Sequence, residues 1–138
     1  MLSEKQVLDA IGEEGFTKLV AAFYRQIPDD DILGPMYRVA EADTSGTEAE
    51  RLAAAEARLR DFLIFRFGGS MRYIERRGHP ALRMRHFKFD VDQAARDRWV
   101  ALMDAALEEA ALPADVTESL RKFFGDVATF LMNRPAGQ

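Results

Sequence analysis

The chain has 138 residues, of which 48% are hydrophobic and 30% are charged, and its formal net charge is −4. These values predict a single soluble globular domain, residues 1–138, with a flexible tail at 134–138. The negative charge does not favour nucleic acid as a partner. The lack of cysteine excludes disulfides and thiolate chemistry. No apolar run is long enough for a signal peptide or a membrane span, so we expect a cytoplasmic protein without membrane contacts.

Apolar residues in the first part of the chain recur with helical spacing. Ser3 and Gln6 match a capping box at the start of a first helix, which Gly12 interrupts. A second helix is predicted from about residue 13 to residue 27, where Pro28 stops it. The buried face of this second helix carries Phe16, Leu19, Val20, Phe23 and Ile27, with Tyr24 at its edge.

The segment after Pro28 is predicted to form a short helical turn and then a loop. The acidic residues at 29–31 suit the start of a short helical turn that carries Tyr37. We expect Gly34 and Pro35 to break this turn. Small and polar residues at 41–46 then predict a loop.

A long helix is predicted from about residue 48 to residue 67. Thr47 and Glu50 repeat the capping-box pattern at its start, and Gly68 and Gly69 are suited to its end. Its buried side carries Leu52, Ala55, Leu59, Phe62, Leu63 and Phe67.

Two further helices are predicted near the end of the chain. A cap at 90–93 precedes a helix with a clear apolar stripe that includes Trp99, and Pro113 begins the last helix. No segment alternates with a period of two residues, so the predicted fold class is all-α. The apolar faces are rich in phenylalanine, which suits an ordinary core and also the lining of a flat aromatic cofactor.

Both histidines lie in the stretch 78–87. Pro80 suits the first turn of a helix, and a helix over residues 80–86 places Leu82 and His86 on one face. Phe89 follows closely, so the imidazole of His86 can enter an apolar pocket. A haem needs an imidazole for its iron, an apolar wall, and cations for its propionates. A hydrogen-bonded histidine that closes a helix is the alternative, and spacing alone does not exclude it.

The ordered set of motifs resembles the group II truncated haemoglobins over nearly the whole chain. The most specific stretch is 73–89, with the sequence Glu-Arg-Arg-Gly-His-Pro followed by Leu-Arg-Met-Arg-His. The other matching stretches are 23–24, Tyr37, 68–69, 96–99 and 132–134.

The resemblance implies a globin-like, truncated two-over-two helical sandwich. Its pairs are the second helix with the long helix, and the two last helices with each other. It further implies a haem b cofactor whose iron is bound by His86. The cofactor would also contact three arginines, Arg58, Arg83 and Arg85, and four apolar residues, Leu59, Phe62, Leu82 and Phe89. Each of these arginines is also compatible with a solvated surface position.

The resemblance places three hydrogen-bond donors on the ligand side of the cofactor: Tyr24, Tyr37 and Trp99. Phe23 and Ala55 would complete this ligand-binding side. Donors that converge on a bound diatomic ligand stabilise its partial negative charge. Taken singly, each of the three is also compatible with an ordinary half-buried aromatic residue.

Three functions follow from this pattern. The first is a haem protein that binds O2, CO, NO and other small ligands, with a role in oxygen transport. The second is a haem enzyme that acts on NO as a dioxygenase or on peroxide as a peroxidase. Because the chain has no flavin or nicotinamide motif, this enzyme would need a separate reductase. The third is a haem-free helical interaction module. The sequence leaves the oligomeric state open, a homodimer included, and assigns no catalytic residue.

Overall fold

The computed structural model describes residues 2–42, 45–69 and 91–132, and within these ranges the chain is helical. No strand occurs in this part of the chain, so the all-α prediction is confirmed. None of its helices is long and apolar enough to span a bilayer. The five helices are α1 Glu4–Arg25, α2 Leu33–Ala40, α3 Glu48–Arg66, α4 Gln93–Ala110 and α5 Ala114–Leu131.

The helices pack as two pairs. Helix α1 lies against α3, and α4 lies against α5, while α1 also packs on α4 and so joins the two pairs. The ring of Phe67 contacts Phe16 of α1 at 5.1 Å and Phe123 of α5 at 5.0 Å, measured between ring centroids. This is the two-over-two pairing that the sequence predicted. The fully buried side chains of its core include Phe16, Phe23, Leu19, Ile27, Leu33, Leu63, Ile64 and Met103.

Helix α1 contains the interruption expected at Gly12. Its start has the predicted capping box, in which Ser3 accepts from the backbone of Gln6 and the Gln6 side chain accepts from that of Ser3. Gly12 has φ +65° and ψ −178°, a conformation essentially restricted to glycine. The chain therefore changes direction at Gly12 and continues helically to Arg25, two residues short of the predicted end.

The prediction that Gly34 and Pro35 break the short turn is wrong. Both residues lie in the first turn of α2, where backbone N–H groups have no partner within the helix. Pro35 therefore sacrifices no helical hydrogen bond. A Cβ at Gly34 would lie 3.0 Å from the carbonyl oxygen of Ile27, so glycine permits the close approach of the preceding turn.

Both ends of α3 are fixed by local signals, as expected. The capping box of Thr47 and Glu50 is present at its start. At its end the N–H of Gly68 donates to Phe65 at 3.0 Å, and that of Gly69 donates to Ile64 at 2.8 Å. Gly68 has φ +93°, so this is a glycine-terminated Schellman motif.

The last two helices also begin at predicted positions. Asp92 accepts a hydrogen bond from the backbone of Ala95 at 2.8 Å and caps α4, while Pro113 immediately precedes α5. The predicted helix at 80–86 lies outside the described residues.

Substitution of two glycines by alanine should have opposite effects on stability. Gly12→Ala forces alanine into a glycine conformation, so the free energy of unfolding should fall by about 1–3 kcal/mol. Gly125→Ala is the matched control, because Gly125 lies inside α5 with open space around its Cβ position. That variant should be more stable by about 0.5–1 kcal/mol. Urea unfolding checks both predictions. A Gly12→Ala variant that is as stable as the parent chain would contradict the kink assigned to Gly12.

Candidate functional site

Three helices bring the predicted ligand-side aromatic residues together. Tyr24 comes from the last turn of α1, Tyr37 from α2 and Trp99 from α4. The ring centroids of Tyr24 and Tyr37 lie 5.8 Å apart at an interplanar angle of 89°. Phe23 packs against Tyr24 at 5.3 Å and against Trp99 at 5.4 Å. The set that the resemblance implied is therefore one contiguous cluster.

The hydroxyl of Tyr37 is the hydrogen-bonding centre of this cluster. It is hydrogen-bonded to both Tyr24 and Trp99. The indole N–H of Trp99 can only donate. The Trp99 indole is therefore a donor to the Tyr37 hydroxyl. The hydrogen bond between the two phenols raises the pKa of Tyr24 and lowers that of Tyr37.

Burial keeps both phenols protonated. The side chains of Tyr24 and Tyr37 belong to residues that are only 5% and 7% exposed. Loss of solvation is the main reason that the pKa of Tyr37 rises to about 12, and it also raises the pKa of Tyr24 well above 10.0. At neutral pH each phenol therefore retains an O–H that can donate a hydrogen bond.

A partly buried ion pair lies next to the phenols. Arg58 of α3 pairs with Glu41, the residue that follows α2, and their side chains are 33% and 16% exposed. The negative charge of Glu41 raises the pKa of both tyrosines, and the positive charge of Arg58 lowers it. The structure thus gives Arg58 a protein partner, and its contact with a propionate stays a prediction.

The other predicted site residues lie partly in α3 and partly outside the residues that the structure describes. On α3, Ala55 and Phe62 are buried, and Leu59 is half-buried against the core. Five predicted cofactor-binding residues lie outside the described part of the chain, so their assignments stay predictions. They are His86, Leu82, Arg83, Arg85 and Phe89.

Sequence reasoning missed two charged residues close to the site, Glu41 and Asp30, and the burial of a third, Asp61. Glu41 was assigned only to a loop, and Asp30 only to a helix start. Asp61 lies 1% exposed in α3, with the Nε of Arg60 at 3.2 Å from its carboxylate. The only available signal for Asp30 was its position just before the turn that carries Tyr37.

The donor set fits the ligand side of a haem. Two O–H groups and one N–H group converge inside an otherwise apolar core, where a diatomic ligand would need hydrogen bonds. A cavity of about 30 Å³ lies beside Tyr37 and Trp99, which is room enough for at least one water molecule. Within residues 2–42, 45–69 and 91–132, no three His, Cys, Asp or Glu residues gather as metal ligands, so this part suggests no protein-only metal site.

Comparison with known proteins points in the same direction. The sequence profile of bacterial-like globins matches residues 6–133. The chain is 31% identical over 112 residues to the group 2 truncated hemoglobin YjbI of Bacillus subtilis, a match that spans 81% of this chain and 76% of that protein. It is 30% identical over 132 residues to two-on-two hemoglobin-3 of Arabidopsis thaliana, spanning 95% of this chain and 71% of that protein.

Solved structures show the same similarity. The thermostable hemoglobin of Thermobifida fusca superposes with a TM-score of 0.80 at 40% identity, covering 92% of this chain and 96% of that one. The hemoglobin of Chloroflexus aurantiacus also gives a TM-score of 0.80, at 34% identity over 93% of this chain and 98% of that one. Both the fold and the family are thereby supported.

The raised pKa values predict a stability loss at high pH. An unfolded tyrosine loses its proton near pH 10.0, whereas Tyr37 in the folded chain holds its proton up to about pH 12. The stabilisation is therefore complete below pH 10 and is lost as the pH rises towards 12. At about pH 11 the loss should be about 1 kcal/mol for Tyr37, and Tyr24 should add a loss of the same sign.

Urea unfolding at neutral pH and at about pH 11 tests this loss, and Tyr37→Phe and Tyr24→Phe serve as the comparison proteins. Each variant should show a smaller decrease between the two pH values than the parent chain. An equal decrease in all three proteins would show that the phenols are not responsible.

Proposed function

The chain belongs to the bacterial-like globin family, and on this premise we propose that it holds haem b and binds O2 and other small diatomic ligands such as CO and NO. The observation that carries the proposal is the buried cluster of Tyr24, Tyr37 and Trp99. Haem binding is what the family implies. The roles of individual residues are our proposal.

A small polar ligand bound beside the donor cluster would give its hydrogen-bonding groups a role beyond their bonds to one another. Placing O–H and N–H groups in an apolar core is unfavourable unless each is hydrogen-bonded. A phenylalanine at Tyr24 or Tyr37 would fill similar space without that requirement. The cluster therefore supports a function in which a small acceptor molecule binds against these donors.

The hydrogen-bonding capacity of Tyr37 suggests a division of roles. A phenol oxygen has one proton to donate and can accept up to two hydrogen bonds. The hydroxyl of Tyr37 interacts with both Tyr24 and Trp99, so it is the group that the other two donors share. We assign Tyr37 as the direct donor to the ligand, while Tyr24 and Trp99 orient its hydroxyl. Phe23 and Ala55 supply the apolar surround.

A bound haem would supply an iron with an open coordination position for the diatomic ligand. In our assignment the imidazole of His86 would hold this iron, and Leu82, Phe62, Leu59 and Phe89 would contact the porphyrin. The second ring nitrogen of His86 would donate a hydrogen bond that fixes the ring orientation.

The propionates of the cofactor are assigned to Arg58, Arg83 and Arg85. Arg58 has five N–H donors, and the pair with Glu41 is made through Nη2. One third of the Arg58 side chain is exposed, so it can bind a carboxylate in addition to Glu41. Shared use of this kind would link the haem edge to the charges that act on Tyr24 and Tyr37.

Finer aspects of function stay predictions from the sequence. They include NO dioxygenase or peroxidase turnover with a separate reductase, oxygen transport, a homodimer and a cytoplasmic location. Turnover measured with and without a reductase distinguishes catalysis from ligand binding, because the binding function requires no electron donor.

The rate of O2 dissociation tests the proposed donor role. Tyr37→Phe should accelerate dissociation roughly five- to tenfold, because one hydrogen bond to the ligand is lost. Trp99→Phe should have an effect of the same sign, since it removes a group that orients Tyr37. Stopped-flow measurement on the haem-loaded protein gives these rates.

Phe123→Leu is the control for nonspecific loosening of the core. Phe123 is a half-buried aromatic residue that contacts Phe67 and Phe124, and Phe124 lies between it and Trp99. Its O2 dissociation rate should match that of the parent protein. Unchanged rates in Tyr37→Phe and Trp99→Phe would refute the donor assignment.

A further inference from the structure

A single carboxylate connects the turn after α1, the start of α2 and the second turn of α4. Oδ2 of Asp30 accepts hydrogen bonds from the backbone N–H of Ile32 at 3.1 Å and of Leu33 at 2.7 Å. Oδ1 of the same residue accepts from Nη1 of Arg98 at 2.7 Å. The side chain of Asp30 is only 9% exposed, so both of its oxygens are engaged inside the fold.

The partners of Asp30 lie close in sequence to Tyr37 and Trp99 of the donor cluster. Leu33 begins α2, and Tyr37 lies about one turn further along this helix. Arg98 immediately precedes Trp99 on α4. The hydrogen bond between Trp99 and Tyr37 therefore joins α4 to α2, the same two helices that Asp30 joins. Along α2 the two connections are about one turn apart.

Helix α2 depends on such external contacts. It has only eight residues, too few for an isolated helix to be stable in water. The residue at its N-cap position, Ile32, has no side chain that can accept a hydrogen bond from the helix. Asp30 provides this acceptor, and its bond to Arg98 also fixes the helix start relative to α4.

We propose that Asp30 is a positioning residue that holds α2 against α4, so that the indole N–H of Trp99 meets the hydroxyl of Tyr37. Asp30 acts through these two residues and has no contact with the ligand. The consequence for ligand binding rests on the proposed function, whereas the positioning itself does not.

The charge state of Asp30 preserves its hydrogen bonds to Arg98 and to the start of α2 at neutral pH. Burial opposes its ionised form, but hydrogen bonds from Leu33, Arg98 and Ile32 outweigh burial and lower the pKa of Asp30. The carboxylate is therefore charged at neutral pH and retains all of its acceptor positions.

Asp31 offers a matched control in the same chain. Its Oδ1 also accepts from Nη1 of Arg98, at 2.6 Å, but its side chain is 82% exposed. The hydrogen bonds from Ile32 and Leu33 at the start of α2 go to Asp30. Asp31→Asn thus perturbs the same arginine without disturbing the start of α2, whereas Asp30→Asn leaves one acceptor oxygen where there were two.

The first measurement is the indole N–H signal of Trp99 in a ¹⁵N-labelled protein, which is unambiguous because the chain has one tryptophan. It is recorded on the protein as purified, in the ferrous CO form if haem is present. In Asp30→Asn the signal should move upfield, and its hydrogen exchange should accelerate about tenfold, as for loss of one hydrogen bond. Asp31→Asn should change the exchange rate less than about twofold.

Equal spectra for Asp30→Asn and Asp31→Asn would overturn the proposal. Should Asp30→Asn fail to fold, Arg98→Gln cuts the same connection from the α4 side and should give the same upfield shift. An unshifted indole signal in folded Arg98→Gln would likewise overturn it. Because this measurement does not require haem, it separates failure of the positioning role from failure of the proposed function.

The second measurement distinguishes positioning from simple helix capping. Asp30→Asn should accelerate O2 dissociation about fivefold in the parent chain, but less than about twofold in a Tyr37→Phe background. A residue that only stabilises the fold would have the same effect in both backgrounds. Equal acceleration in the two backgrounds would therefore contradict action through Tyr37.

Discussion

The structure depends on satisfying three hydrogen-bonding groups within an apolar core. Tyr24, Tyr37 and Trp99 come from three different helices, and their polar atoms meet at the Tyr37 hydroxyl. A buried donor or acceptor left without a partner costs about 1–3 kcal/mol. The relative positions of α1, α2 and α4 are therefore constrained more tightly than packing of apolar surfaces alone would require.

Polar contacts around this cluster maintain the same arrangement from outside. The side-chain amide of Gln26, just after α1, donates to the carbonyl oxygen of Leu102 on α4 at 2.9 Å. Glu41 and Arg58 join the end of α2 to α3, and Asp30 joins its start to α4. Helix α2 is thus held at both ends, which is what an eight-residue helix needs in order to present Tyr37 in one orientation.

Sequence predicted those features whose causes are local. The caps at Ser3, Thr47 and Gly68 each depend on a few neighbouring residues, and all three are present. The break assigned to Pro35 was wrong because the effect of proline depends on where the helix begins. Asp30 sets that beginning through contacts with the backbone and with α4. The aromatic cluster was expected from an ordered family resemblance, since helical periodicity alone does not distinguish donors from core.

The sequence did not predict the ion pairs between residues that are far apart in the chain. Glu41 and Arg58 are 17 residues apart, and Asp30 and Arg98 are 68 residues apart. Only the fold brings each pair together, and no local pattern marks one surface charge as the partner of another. The burial of Asp61 on α3 is a similar case, because its neighbours in sequence resemble those of a solvated acidic residue.

The absorption spectrum of the haem-titrated protein, in ferric, ferrous and CO-bound forms, tests the central claim most directly. A stoichiometric Soret band that shifts on CO binding and is lost in His86→Ala is the result that this account predicts. A matched variant, His79→Ala, should retain the band, because the assignment gives the iron to His86. Failure to take up one haem per chain, or an unaltered spectrum in His86→Ala, would contradict it.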